Sequence, residues 1–201
     1  MKKTVCIILF LSILVTSVSS DPISLGFGNL LRHRESIYDG IPEDTLFDPP
    51  SYRFGAEARF QLFFVETTMN GVFGDNNHWL DGMITLGIRT PFLGIFDIGL
   101  GFGPYYGMSF TDGEALTLIH FIHDEYPESW YYRVVDTFGE VFTDSVMGYR
   151  LHVDAHLGKI SVGVAVDAPT VGYTFANNDS ELLGPNMEKA RAGVTALFWL
   201  F

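Results

Sequence analysis

The sequence predicts an all-β fold: an eight-stranded antiparallel up-and-down transmembrane β-barrel. Three observations predict it. Large apolar residues recur at every second position along most of the chain, the period of a strand rather than a helix. Ionised residues within those runs take the opposite face. Connections between the runs tend to alternate in length, as they do in barrels that cross a bilayer.

The N-terminal segment is set apart first. Lys2 and Lys3 precede an apolar stretch from Val5 to Val15, and small residues follow from Ser17 to Ser20. This is the three-part pattern of a cleaved signal peptide over 1–20. The stretch is shorter than the ~20 residues of a spanning helix, and Cys6 lies too early for a lipoprotein attachment. Residues 21–201 then form one barrel domain. It has no cysteine, since Cys6 is the single one in the chain, so no disulfide staples it. Mean hydropathy is +0.20 and 15% of residues are aromatic, more greasy than a fully soluble domain would be.

Eight strands are expected over about 23–31, 52–61, 63–73, 79–91, 95–110, 145–157, 160–175 and 189–201, an even number as antiparallel closure favours. The fifth is the clearest. Phe96, Ile98, Leu100, Phe102, Tyr106, Met108 and Phe110 share one face, while Asp97, Gly99, Gly101, Gly103, Tyr105, Gly107 and Ser109 share the other. The second sorts Arg53, Gly55, Glu57, Arg59 and Gln61 from Tyr52, Phe54, Ala56, Ala58 and Phe60. The connections run about 20, 1, 5, 3, 34, 2 and 13 residues, so the short turns gather at one end and the long loops at the other. Over 111–144 the fifth and sixth expected strands can extend beyond the membrane as a hairpin, or 116–124 and 130–138 can be two more spanning strands. That would make ten, which parity also admits.

The strand-borne charges are Arg53, Glu57, Arg59, Glu66, Asp81, Arg89, Asp97, Arg150, Asp154 and Asp167. All lie opposite the large apolar residues, so they are expected to form a polar network in the lumen. A lipid-facing Arg or Lys at mid-bilayer would cost ~2–4 kcal/mol. His152 and His156 join Arg150 and Asp154 on one face of the sixth expected strand. A His-x-Asp-x-His ladder has the residue types to hold zinc or to move protons. An eight-stranded barrel is just wide enough for side chains to fill, so an ion-paired plug is expected instead, with no metal, cofactor or catalytic residue. The glycines of the fifth strand leave volume for a narrow path beside the plug. In the last strand, turning Thr195, Leu197, Trp199 and Phe201 to lipid also turns Lys189 and Arg191 outward, where long cations can snorkel or a bulge can reset the face.

The loop over 111–144 carries His120, Phe121, His123, Trp130, Tyr131 and Tyr132, an apolar and aromatic set suited to a small hydrophobic solute or a host ligand. The expected long loops hold most of the acids. Net charge is −12, and −12 − 2 = −14 once the two leader lysines are removed, which argues against nucleic acid as a partner. No Gly-x-Ser-x-Gly, His-Glu-x-x-His or phosphate-cradling glycine loop is present.

The leader, the alternation, the loop pattern and the ending Leu197-Phe-Trp-Leu-Phe201 together resemble the small outer-membrane barrels of the OmpX, OmpW and OmpA-barrel group. Leu197, Trp199 and Phe201 resemble the signal read by the barrel assembly machinery. The resemblance implies the cell outer membrane as location, with its lipid and that machinery as partners. It implies either passage of small hydrophobic molecules, as in the OmpW group, or adhesion and surface protection, as in the OmpX group. Barrel enzymes that modify lipid A pair His with Ser or Glu, and neither His120 nor His123 has a matching neighbour.

Overall fold

In a computed structural model the strands run, in chain order, β1 (Ile23–His33), β2 (Tyr52–Leu62), β3 (Val65–Phe73), β4 (Trp79–Phe92), β5 (Phe96–Thr111), β6 (Glu114–His123), β7 (Tyr126–Val134), β8 (Met147–Leu157), β9 (Ile160–Pro169) and β10 (Arg191–Trp199). The structure describes residues 23–200 except 39, 44, 46–47, 75–78, 112–113, 124–125 and 135–136; over 79, 108–111, 114–123, 126–134 and 138 it describes backbone. The expected signal peptide and Phe201 lie outside the described residues.

Among the described residues eight strands close a ring. Each of β1 to β4 pairs with the next, β5 pairs with β8, β8 with β9, β9 with β10 and β10 with β1, all antiparallel. Closure leaves no strand edge to satisfy in lipid. The ten-strand option fails for a specific reason. β5 pairs with β8 only from Phe96 to Pro104, and beyond it takes β6 from Tyr106 to Thr111. The β6–β7 hairpin is therefore an extension of one long strand past the ring. Pro104 marks the change of partner: it has no N–H, and the β4–β5 ladder skips from Met83↔Tyr105 to Leu86↔Phe102.

The turns at one end are short. Phe63–Phe64 joins β2 to β3, where a single-residue turn at Leu62 was expected; Leu62 pairs with Val65, and Phe63 takes φ 56° to reverse the chain. Leu93 (φ 52°) and Gly94 (φ 77°) turn β4 into β5, and Gly158 (φ 69°) turns β8 into β9. Positive φ at the turn matches the twist of the flanking strands. β9 stops at Pro169, six residues before its expected end. There Thr170 leaves the ladder, donates to Met147 O at 2.9 Å and bridges to Pro185. The expected loop over 111–144 contains a short helix as well, α1 (Phe138–Asp144). Thr137 caps it, with its Oγ1 donating to Glu140 Oε1 at 3.0 Å and accepting from Glu140 N at 3.4 Å. A Thr at the N-cap is a start signal that the sequence carries. Val141 of α1 packs on Tyr106.

Except in β10, the strands alternate as read. Phe27, Leu31, Phe54, Phe60, Met69, Leu86, Ile88, Leu100, Leu151 and Val164 are exposed on the outer wall. Glu57, Arg59, Glu66, Arg89, Arg150, His152, Asp154 and Asp167 are buried inside it. The molecule is greasy outside and ionic within, the reverse of a soluble fold.

Candidate functional site

The lumen is built from alternate residues of all eight ring strands, and its charges answer one another across it. Arg59 is the hub. Its Nε donates to Glu57 Oε1 at 2.5 Å and its Nη1 to Asp154 on the far wall. Arg150 bonds the other oxygen of Glu57 and, at 2.5 Å, Asp167 Oδ1. Arg150 and Asp167 are direct register partners on β8 and β9. Arg32 donates to Asp167 Oδ2 at 2.6 Å and to Asn70 Oδ1 at 2.9 Å. These guanidiniums and carboxylates form a chain, each acid except Asp154 shared between two arginines.

A second cluster lies nearer the short turns. Arg89 Nε donates to Asp97 Oδ2 at 3.0 Å, and Nη1 donates to Gln61 Oε1 at 2.9 Å. Glu66 Oε2 stands 3.4 Å from Arg89, and His156 Nε2 lies 2.7 Å from Asp97. The expected His152-Asp154-His156 ladder thus divides. His152 Nε2 faces Glu66 at 3.3 Å and Asp154 at 3.4 Å, while His156 turns to Asp97. No group of three His, Cys, Asp or Glu among the described residues is placed to hold a metal ion.

The last strand corrects the sequence reading. Trp199 is 7% exposed, and Leu197 and Thr195 are each 1% exposed, whereas Phe198 on the other parity is 49% exposed. Leu197, Trp199 and Thr195 face the lumen, and no bulge intervenes. Arg191 shares their face, so it too points inward, not out to the rim. Trp199 Nε1 donates to Ser161 Oγ at 2.9 Å, and its ring lies 4.6 Å from the Arg89 guanidinium carbon and 5.9 Å from the His156 ring. It is a lid on the Arg89 cluster, with a cation–π contact holding it. Arg32, expected in a loop, is likewise a lumen residue; it keeps phase with Ser24 and Leu30, a signal that a longer first strand would have carried.

The space beside Gly99, Gly101 and Gly163 is occupied. A Cβ on Gly99 would meet His152 Cε1 at 2.1 Å, one on Gly101 would meet Thr85 Oγ1 at 2.6 Å, and one on Gly163 would meet Asp154 Oδ1 at 2.0 Å. Each glycine makes room for a polar side chain of its neighbour. Gly163→Ala is expected to push the Asp154 carboxylate off Arg59 and to cost about 1–3 kcal/mol. A shift in the urea midpoint of the refolded protein measures it; an unchanged midpoint would mean that the carboxylate has slack.

Above this plug, at the long-loop end, the lumen opens into a cavity of about 330 Å³. Arg32, Arg53, Asp81, Tyr105, Asp167 and Arg191 form its wall, and the connection before β10 adds Glu188 and Lys189. Ser36 Oγ donates to Met187 O at 3.2 Å, and Ile37 N to Ala190 O at 2.9 Å, so this connection is tied to the one that follows β1. The expected binding residues His120, Phe121, His123, Trp130, Tyr131 and Tyr132 all fall on β6 and β7, where His120 pairs with Tyr132 and Phe121 with Tyr131. Their side chains lie outside the description. The cavity was missed in the sequence because its residues come from six strands.

The structure is similar to the crystal structure of Neisserial surface protein A. Identity is 6%, the TM-score is 0.37, and the match covers 89% of this chain and 96% of that one. No protein-family model matches the sequence, and no curated protein matches it.

Proposed function

We propose that this chain is a non-enzymatic surface protein of the outer membrane that holds a small solute at its outer mouth and does not conduct solutes along the barrel axis. One observation carries the reading: the ion-paired plug fills the lumen below, and the cavity opens above it. Buried ion pairs this closely bonded leave no continuous water column. A volume of about 330 Å³ lies in the range of small-molecule sites. The apolar outer wall supports the membrane location, with the short turns towards the periplasm. A second reading, adhesion through the outer surface, is favoured by the β6–β7 hairpin, which carries β5 past the ring. Barrel assembly machinery and outer-membrane lipid are the partners this location implies.

The test joins two measurements on the purified protein. In planar bilayers the barrel is expected to give no steady conductance. An environment-sensitive dye on Ser36→Cys, at the cavity wall, is expected to respond saturably to at least one member of a panel of alkanols, neutral polyols, carboxylates and phosphomonoesters. A steady open channel overturns the reading, and so does a silent dye across the whole panel.

A further inference from the structure

Among the described residues the lumen holds six guanidiniums, of Arg32, Arg53, Arg59, Arg89, Arg150 and Arg191, and six carboxylates, of Glu57, Glu66, Asp81, Asp97, Asp154 and Asp167. They balance in sum but not along the axis. The plug and the Arg89 cluster hold Arg59, Arg89 and Arg150 against Glu57, Glu66, Asp97 and Asp154, which is 3 − 4 = −1. The mouth holds Arg32, Arg53 and Arg191 against Asp81 and Asp167, which is 3 − 2 = +1; Lys189 and Glu188 cancel. Asp167 is also shared, since Arg150 reaches up from the plug to bond it.

The register sharpens this surplus. Arg32 stands directly opposite Arg53 across the β1–β2 ladder. Like charges at opposed positions repel, and the pair is tolerable where negative charge lies between or beside them. Arg191 in turn stands opposite Asp167 across β9–β10. Three arginines from three adjacent strands, β2, β1 and β10, therefore converge on one cavity.

Resting on the mouth-binding reading above, we propose that this cavity is an anion site for a small solute with a phosphate head, seated between Arg32, Arg53 and Arg191. Guanidinium forks match phosphate oxygens bidentately, and three of them set around a hollow suit a tetrahedral dianion. Tyr105 on the wall adds a phenol. Of the loop acids, Glu188 reaches the wall, where Lys189 offsets it; the others act from farther off. Salt screens them over about 10 Å, while the arginines act at contact distance in a partly dry site.

Glycerol phosphate and glycerol are the deciding probes, because they differ by the phosphate. The Ser36→Cys dye is expected to respond to glycerol phosphate and to inorganic phosphate, with glycerol at least tenfold weaker. Affinity for glycerol phosphate is expected to fall about tenfold or more in Arg53→Gln and in Arg191→Gln, to fall with added salt, and to hold in Lys159→Gln at the opposite end. A cooperative urea transition in each variant confirms that it is folded. A short-chain phosphatidic acid in micelles separates the sources: a response to it alone assigns the phosphate to a lipid headgroup, a response to soluble glycerol phosphate to a free solute. Equal response to glycerol and glycerol phosphate, or no loss in either arginine variant, overturns the anion site. A response to alkanols or neutral polyols alone would overturn it while leaving mouth binding intact.

Discussion

Arg59→Met is expected to destabilise the barrel by about 3–5 kcal/mol, the range for removing one partner of a buried ion pair. Arg59 is 0% exposed and holds Glu57 and Asp154 from opposite walls. The two acids would not suffer equally. Glu57 keeps Arg150, whereas Asp154 keeps, among the described residues, only the imidazole of His152 at 3.4 Å. Most of the loss is therefore the cost of a buried carboxylate without its cation. A double variant, Arg59→Met with Asp154→Leu, is expected to recover part of the stability, because it removes the orphan charge with its partner. Reversible urea unfolding in lipid vesicles measures both. A loss under about 1 kcal/mol for the single variant would mean that water reaches the pair. The plug would then be wet, and the non-conducting reading would go with it.

Most of the barrel could be read from the chain because charge and grease sort by parity. In β2 the odd positions carry Arg53, Glu57 and Arg59, and in β8 the even positions carry Arg150, His152, Asp154 and His156. No other arrangement hides these groups from lipid. The last strand defeated the rule because it is apolar on both parities. Leu197 and Trp199 face the lumen while Phe198 and Leu200 face outward. Hydrophobicity cannot separate lipid from a packed lumen that also holds Leu30, Val72 and Met83. What decides the case for Trp199 is its polar side, the N–H to Ser161 and the ring against Arg89, and both partners lie on other strands. Arg191 carries the true parity, and the aromatic chain ending points the other way.

The charge pairing was legible as a class and not as a map. Parity places twelve charged or histidine residues on the lumen face, yet Arg59 and Asp154 are 95 positions apart, and only the closed ring brings them together. The glycines misled for the same reason. A glycine looks like empty space in one dimension, but the space beside Gly99 and Gly163 belongs to His152 and Asp154 across the ladder. Cross-strand occupancy is a property of register, which is set by turns such as Phe63–Phe64 that the periodicity alone does not locate.

Leu86→Arg carries the second large effect and tests the surroundings of the barrel, not its interior. Leu86 is 62% exposed and stands midway along the fourteen residues of β4, paired with Thr67 and Phe102 on either side. On a wall facing water, such a substitution would be neutral within about 0.5 kcal/mol. On a wall facing acyl chains at mid-depth it is expected to cost about 2–4 kcal/mol. Leu93, 75% exposed in the short turn of the same hairpin, supplies the comparison: Leu93→Arg lies at the interface and is expected to cost about 0–1 kcal/mol. Neither change touches the lumen network, so the difference between them reads depth in the bilayer. Unfolding in vesicles gives that difference directly, and repeating it in detergent micelles should shrink it. Equal, small losses at both positions would place the β4 wall in water, and the membrane-spanning assignment would fail with it.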